Sequence, residues 1–279
     1  MSMATTPESN ETTVVPKAPA TVENSRSPQE QAPVDWSVGV RGLLLDIDDT
    51  LIDTQATMRS SCTQGAAAAW PNESPELHES MSGIFYDDPG GYFDRYTRGE
   101  FPFAEMRAAR YHEACRRLGI EETGFETFEA AYREAFAACQ RLFDDVPAML
   151  AAAESHGAQV AFVTNSGQEQ TEIKMAAVGL TGPVVTTDTL GVGKPDPAIF
   201  TRAMELVGTP REQTLVVGDT LPTDVVGGRA AGLRVAWLQR TGVPEPRNAG
   251  WDTPLSDLND PGVRIIHGLG DLTDWFARA

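Results

Sequence analysis

The chain has 279 residues, 41% of them hydrophobic, and sets 40 acidic against 22 basic residues for a formal charge of −18. That length supports one sizeable core plus a smaller second one, and the negative charge disfavours a nucleic-acid partner. No apolar run is long enough for a membrane span, the first residues lack the basic and apolar regions of a signal peptide, and the three cysteines, Cys62, Cys115 and Cys139, have no metal or disulfide spacing, so a cytoplasmic protein with reduced thiols is expected.

Residues 1–37 are rich in Pro, Thr, Ser, Glu and Gln with Trp36 as the single aromatic, which predicts a disordered tail. The Leu43-Leu44-Leu45 triplet marks the Val38–Ile47 run as a buried strand. Residues 54–145 carry little strand signal. Helices are predicted there over Phe103–Leu118 and Phe125–Phe143, the second from Phe128, Ala131, Tyr132, Ala135, Phe136, Cys139 and Leu142 at helical spacing. A Gly/Pro-rich loop, Tyr86 to Gly91, interrupts the same region. The cysteines read as small core residues on helix faces.

From there strand and helix alternate. Helices are predicted over Pro147–His156, Gln168–Val178, Pro197–Val207, Thr223–Ala231 and Leu269–Ala277. Strands are predicted over Ala158–Thr164, Val184–Thr187, Thr214–Gly218, Leu233–Trp237 and Arg264–Ile266, with a loop-rich stretch from Thr241 to Pro261. Such alternation means an α/β fold with a doubly wound parallel sheet covered on both faces. The expected division is a tail (1–37), a core (38–53 and 146–279) and a helical insert (54–145).

Four polar segments lie just past apolar strands or in loops beside them. Asp46-Ile47-Asp48-Asp49-Thr50 follows the Leu triplet, and Thr164-Asn165 follows Val160-Ala161-Phe162-Val163. Lys194 stands in Gly193-Lys194-Pro195-Asp196-Pro197, and Gly218-Asp219 through Asp224 follows Leu215-Val216-Val217. Loops past the carboxyl ends of parallel strands form the ligand crevice, so these groups converge on one small volume.

Their order and spacing resemble those of the haloacid dehalogenase-like (HAD) hydrolase superfamily, from about residue 40 to the end. The resemblance implies a Rossmann-like core with an α-helical cap of the first cap class, and Mg²⁺-dependent hydrolysis of a small phosphorylated metabolite. Asp46 would be the nucleophile that forms an aspartyl-phosphate. Asp48 would protonate the leaving alcohol and then activate water. Thr50 would help position Asp48 and the loop. Thr164, Asn165, Thr50 and Lys194 would hold the phosphate, with backbone N–H groups of Asp48, Asn165 and Ser166 completing an anion cradle. Asp46, the Asp48 carbonyl, Asp219 and Asp224 would hold Mg²⁺, Asp224 through water or by orienting Lys194.

Several residues have simpler readings. Asp49 is a turn residue, and Asp224 doubles as a helix N-cap. Gly227-Gly228 and Gly232 serve helix–sheet packing and a helix stop. Arg95, Arg98, Arg107 and Arg110 belong to solvated helix faces. His112 and His156 have no partner pattern.

Alternatives of the same fold are a phosphomutase and a 2-haloacid dehalogenase. The latter needs neither metal nor general acid, so Asp48 argues against it. A phospho-accepting regulatory or binding protein without turnover is the alternative from another class, but receiver domains lack an insert after the first strand. Asp49 resembles the nucleotidase and acylneuraminate-phosphate branch more than the phosphoglycolate branch, which has Gly there.

Overall fold

Leu43 and Leu45 of the first strand point to one face of a sheet and Leu44 to the other, the two-residue period of an extended chain. The computed structural model describes residues 39–240 and 260–278. The expected tail, Val38 and most of the Thr241–Pro261 loop lie outside the described residues.

Six parallel strands make the sheet: β1 (Gly42–Leu45), β2 (Gln159–Val163), β3 (Val184–Val185), β4 (Thr214–Gly218), β5 (Arg234–Leu238) and β6 (Val263–Ile266). Their order is β3-β2-β1-β4-β5-β6, so the chain reverses its direction of travel across the sheet beside β1. That reversal opens a crevice at the strand ends.

Helices α1 to α5 all fall between β1 and β2: Thr54–Ala69, Pro75–Asp87, Tyr92–Thr97, Phe103–Leu118 and Phe125–Ala138. Then come α6 (Val146–Ser155), α7 (Gln168–Val178), α8 (Thr187–Leu190), α9 (Pro197–Val207), α10 (Val226–Ala230) and α11 (Gly270–Arg278). One face of the sheet packs Leu43, Leu45, Phe162 and Val217 against Met149 of α6, Met175 of α7 and Leu272 of α11. The other packs Leu44, Val216 and Trp237 against Ile199 and Phe200 of α9. The fold is the Rossmann-like, doubly wound core with a helical insert. Among the described residues no helix is long and apolar enough to cross a membrane.

The insert has a core of its own, built from Cys62, Phe85, Tyr111, Cys115, Phe128 and Tyr132. Cys62 and Cys115 are buried there, as their type predicts, while Cys139 is partly exposed. The helix α1 escapes a periodicity search because its packing face is Ser61, Cys62, Gly65 and Ala66. Those small residues let α5 approach so closely that a side chain at Gly65 would meet the Phe128 carbonyl oxygen at 2.9 Å. Arg107 and Arg110 depart from the sequence reading. Both are buried, Arg107 on Glu129 and over the Tyr132 ring, Arg110 on the Phe85 carbonyl. Their long stems fill space while their heads find acceptors inside the insert.

Three other expectations change. The second insert helix ends at Ala138 rather than Phe143, because the crossing strands pair instead: Ile52 bridges Leu142, and the Phe143 N–H donates to the Leu51 carbonyl at 3.0 Å. β3 stops at Val185, since Thr186 caps α8 through a reciprocal box with Thr189. The expected helix Thr223–Ala231 is a π-helical turn, Leu221–Val225, running into α10, which places Asp224 inside the turn rather than at an N-cap. Such turns are frequent at functional sites.

Candidate active site

β1 ends at Leu45, and the next residue, Asp46, is pinned by its own N–H to the Val217 carbonyl of β4 at 2.9 Å. The loop then turns back tightly. Leu51 and Ile52 N–H groups both donate to the Ile47 carbonyl, at 2.9 and 3.0 Å, and Asp49 takes the left-handed conformation (φ 61°) that Asp tolerates. Asp46 and Asp48 therefore diverge into two different environments.

The first is a buried acid cluster. Asp46, Asp219 and Asp224 each offer a carboxylate oxygen within 4.8 Å of the others. Lys194 Nζ donates to Asp46 Oδ1 at 2.5 Å and to Asp224 Oδ1 at 2.6 Å. Burial, then repulsion from Asp224 and Asp48, pushes the Asp46 carboxyl up to about 7 against the pull of Lys194. Burial and repulsion from Asp46 and Asp224 push Asp219 well up too. Burial would lower Lys194, but the Asp224 and Asp46 carboxylates hold its ammonium above the usual range. Once all three carboxyls are ionised, they outweigh the one ammonium by two negative charges, which a divalent cation would balance. All the ligand atoms are hard oxygens. This donor set fits Mg²⁺.

Local backbone explains how each acid is held. Asp219 follows the last residue of β4, accepts the Thr50 hydroxyl at 3.2 Å, and has its carbonyl fixed by the Trp237 indole N–H at 2.8 Å. The Thr50 hydroxyl thus serves Asp219 rather than Asp48 or an anion cradle. Asp224 accepts the Thr220 N–H at 3.0 Å through its other oxygen. Gly218 leaves room for it, because a Cβ there would collide with the Asp224 side chain. Gly218→Ala is expected to cost about 1–3 kcal/mol in a urea titration and to lower turnover as well, since Asp224 would be displaced from Lys194.

The second environment surrounds Asp48, whose side chain is 27% exposed. Oδ1 accepts from Thr54 Oγ1 at 2.7 Å and from Lys174 Nζ; Oδ2 accepts from Thr164 Oγ1 at 3.1 Å and Ser166 Oγ at 3.0 Å. Partial burial opposes ionisation, but the Lys174 charge and these hydrogen bonds bring the Asp48 carboxyl down to about 2. Asn165 joins two loops: its Nδ2 donates to the Lys194 carbonyl at 2.9 Å, and its Oδ1 accepts the Lys194 N–H at 2.6 Å. Its side chain is thereby committed, so what it can offer an anion is its backbone N–H. The Ser166 N–H donates to Thr164 Oγ1 at 3.0 Å.

All eight residues singled out from the sequence meet at the β1, β2 and β4 ends, in these two neighbouring groups. Sequence reasoning missed Thr54, the Ser166 hydroxyl and Lys174. Lys174 did carry a signal: it interrupts the inward face of α7 that Thr171 and Met175 define. Missed too was Arg240, which donates to both Asp145 oxygens at 2.9 Å and to the Thr50 carbonyl at 2.8 Å, tying the site loop to the return of the insert.

The insert reaches the site through Tyr86, whose hydroxyl lies 3.4 Å from Asp49 Oδ2, and through Phe136, whose ring centroid is 5.8 Å from Lys174 Nζ. A crevice of about 590 Å³ lies between insert and core, lined by Tyr96, Phe101 and Phe103 on one side and Gly167, Glu169 and Asp188 on the other.

Known proteins resemble this chain in sequence and in fold. The phosphoserine phosphatase of Thermus thermophilus is 28% identical over 242 residues, spanning 78% of this chain and 96% of that protein. The (S)-2-haloacid dehalogenase H-109 of Pseudomonas putida is 23% identical over 243 residues, or 85% and 97% of the two chains. The structure of the HAD-hydrolase YfnB from Bacillus subtilis, bound to magnesium, matches in fold with a TM-score of 0.65 at 20% identity, covering 85% of this chain and 99% of that one. A family model for haloacid dehalogenase-like hydrolases matches residues 40–232, and with the sheet order and the acid cluster in place, the chain belongs to the haloacid dehalogenase-like hydrolase family.

Proposed function

We propose that this hydrolase cleaves phosphate monoesters of small metabolites, with Asp46 as nucleophile and Asp48 as the acid and base. The observation that carries this reading is Asp48 itself. A carboxyl group two residues beyond the nucleophile, partly exposed and held in place by four donors, is positioned to pass a proton between the ester and its leaving alcohol. Carbon–halogen cleavage has no use for it, so the likeness to a dehalogenase is read as shared fold.

Asp46, Asp219 and Asp224 would hold Mg²⁺, which when bound would offset the charge of the phosphate and of the cluster. Lys194 orients the Asp46 carboxylate and adds positive charge where the phosphoryl oxygens gather. Asp46 attacks phosphorus, forming an aspartyl-phosphate as the bond to the alcohol oxygen breaks. Asp48, ionised in the free site, takes a proton from the ester's monoanion as it binds and passes it to that leaving oxygen. Asp48 then takes a proton from water, which hydrolyses the acyl-phosphate and restores Asp46. The Thr164 hydroxyl, now on Asp48, is within the same loop cluster and can turn to a phosphoryl oxygen.

A panel of phosphoserine, nucleoside monophosphates, phosphoglycolate, aryl phosphates and 2-chloropropionate tests this reading. Phosphate release from at least one ester and no halide release is expected; the opposite outcome would replace it with a dehalogenase. Asp48→Asn should lower kcat/KM for phenyl phosphate by at least about tenfold more than for p-nitrophenyl phosphate, whose leaving group needs no proton.

The helical insert is proposed as a cap that selects substrates. Arg95 and Arg98 both hold Glu100, and Arg95 stacks 4.7 Å from the Phe101 ring centroid, so they brace the loop that lines the crevice. Substitutions at Tyr86, Tyr92, Arg95 or Arg98 are expected to raise KM for the best metabolite several-fold. Turnover of p-nitrophenyl phosphate should change less. Equal losses on both substrates across the set would make the insert merely structural.

A further inference from the structure

Lys174 is 4% exposed, yet it is an ammonium on the inward face of α7. Its Nζ donates to Asp48 Oδ1 and, at 2.8 Å, to Ser166 Oγ. Among the described residues Asp48 is its only ion-pair partner. Phe136 of the insert closes over it. A buried ion pair is commonly no more stabilising than apolar side chains of equal volume, so the fold alone does not account for a charge here.

Resting on the phosphatase reading, we propose that Lys174 is a positioning residue that keeps the Asp48 carboxylate on the β2–α7 loop, clear of the Asp46–Asp219–Asp224 cluster and turned toward the leaving group. The hydrogen-bond chain gives the reason. Lys174 donates to the Ser166 hydroxyl, which donates in turn to Asp48 Oδ2, so one cation fixes both carboxylate oxygens, one directly and one through Ser166. The other donors, Thr54 and Thr164, are neutral hydroxyls with one proton each. When Thr164 gives its proton to a phosphoryl oxygen, Asp48 loses that donor. Lys174 has three N–H groups and no competing carboxylate among the described residues, so it is the charged contact that persists beside the Thr54 and Ser166 hydroxyls. Without it, the carboxylate is held by neutral hydroxyls alone and rotates more readily out of line with the ester oxygen, and misplacement by even an ångström is costly in catalysis.

The test uses the full-length protein with Mg²⁺ and two esters of similar shape, phenyl phosphate and p-nitrophenyl phosphate. The value of kcat/KM covers events only as far as the first displacement, where the leaving group departs. Lys174→Met should lower it at least about tenfold more for phenyl phosphate than for p-nitrophenyl phosphate, and Lys174→Arg should recover most of the loss. Lys174→Gln, of similar volume but uncharged, is measured alongside, with circular dichroism on each variant, so that a folding defect in one leaves the other to decide. In an Asp48→Asn background, Lys174→Met should cost less than about twofold more, because a residue that acts through Asp48 has nothing left to position. Equal losses on both esters, or a full additional loss in the Asp48→Asn background, would overturn the role of Lys174 alone. A wild-type protein inert toward every ester would overturn the phosphatase reading, and this inference with it.

Discussion

Asp46→Asn is expected to lower turnover by at least about 10⁴-fold, the scale of losing a covalent nucleophile, while leaving the protein as stable as the parent or more so in EDTA. The two effects have one origin. Asp46 lies in a buried acid cluster, and burial first, then repulsion from Asp224 and Asp48, pushes its carboxyl up to about 7. An amide of the same shape removes the repulsion, and Lys194 retains Asp224 as a partner at 2.6 Å. The site thus holds strain that catalysis needs and folding does not. Steady-state kinetics on the best ester, with thermal melts of both proteins in EDTA, measure both sides. Near-native turnover would refute the nucleophile assignment, and a large drop in melting temperature would mean that Asp46 is mainly structural.

Chelation should abolish activity, Mg²⁺ should restore it, and the same ion should change how stability depends on pH. In the unfolded chain carboxyls lose their protons near pH 4. In the folded chain Asp46 keeps its proton to about 7, and Asp219 is also raised well above its ordinary value. Between those limits the folded state binds more protons than the unfolded state, so stability falls as pH rises. The penalty is absent below about pH 4 and, for Asp46, complete above about pH 7. Asp49, pushed up to about 6 chiefly by burial, adds a fall in the same sense. Asp48, held near 2, has the opposite sign: its contribution is present above about pH 4 and lost below, as pH falls toward 2. Urea titrations at pH 5 and pH 8 in EDTA should therefore show lower stability at pH 8, and Mg²⁺ should recover the share belonging to Asp46 and Asp219. Full activity after metal stripping, or a pH 8 deficit untouched by Mg²⁺, would remove the cation from the account.

What the sequence determined by itself is whatever rests on local pattern. Alternating strands and helices dictate the doubly wound sheet, and the boundaries of Phe103–Leu118, Gln168–Val178, Pro197–Val207 and Thr214–Gly218 follow from periodicity, caps and turn residues over a few positions. The acids past the strand ends were legible for the same reason, since a strand that stops at Leu45 must deliver Asp46 to the crevice. α1 was not legible, because small residues pack by close approach rather than by an apolar stripe. Tertiary structure alone decided which partner each polar group took. Thr50 went to Asp219, Asn165 to the Lys194 backbone, and Lys174 to Asp48, across 169, 29 and 126 residues of chain. A buried donor or charge must find an acceptor somewhere, but which one it meets depends on how the crossovers bring distant loops together, and no window of sequence contains that information.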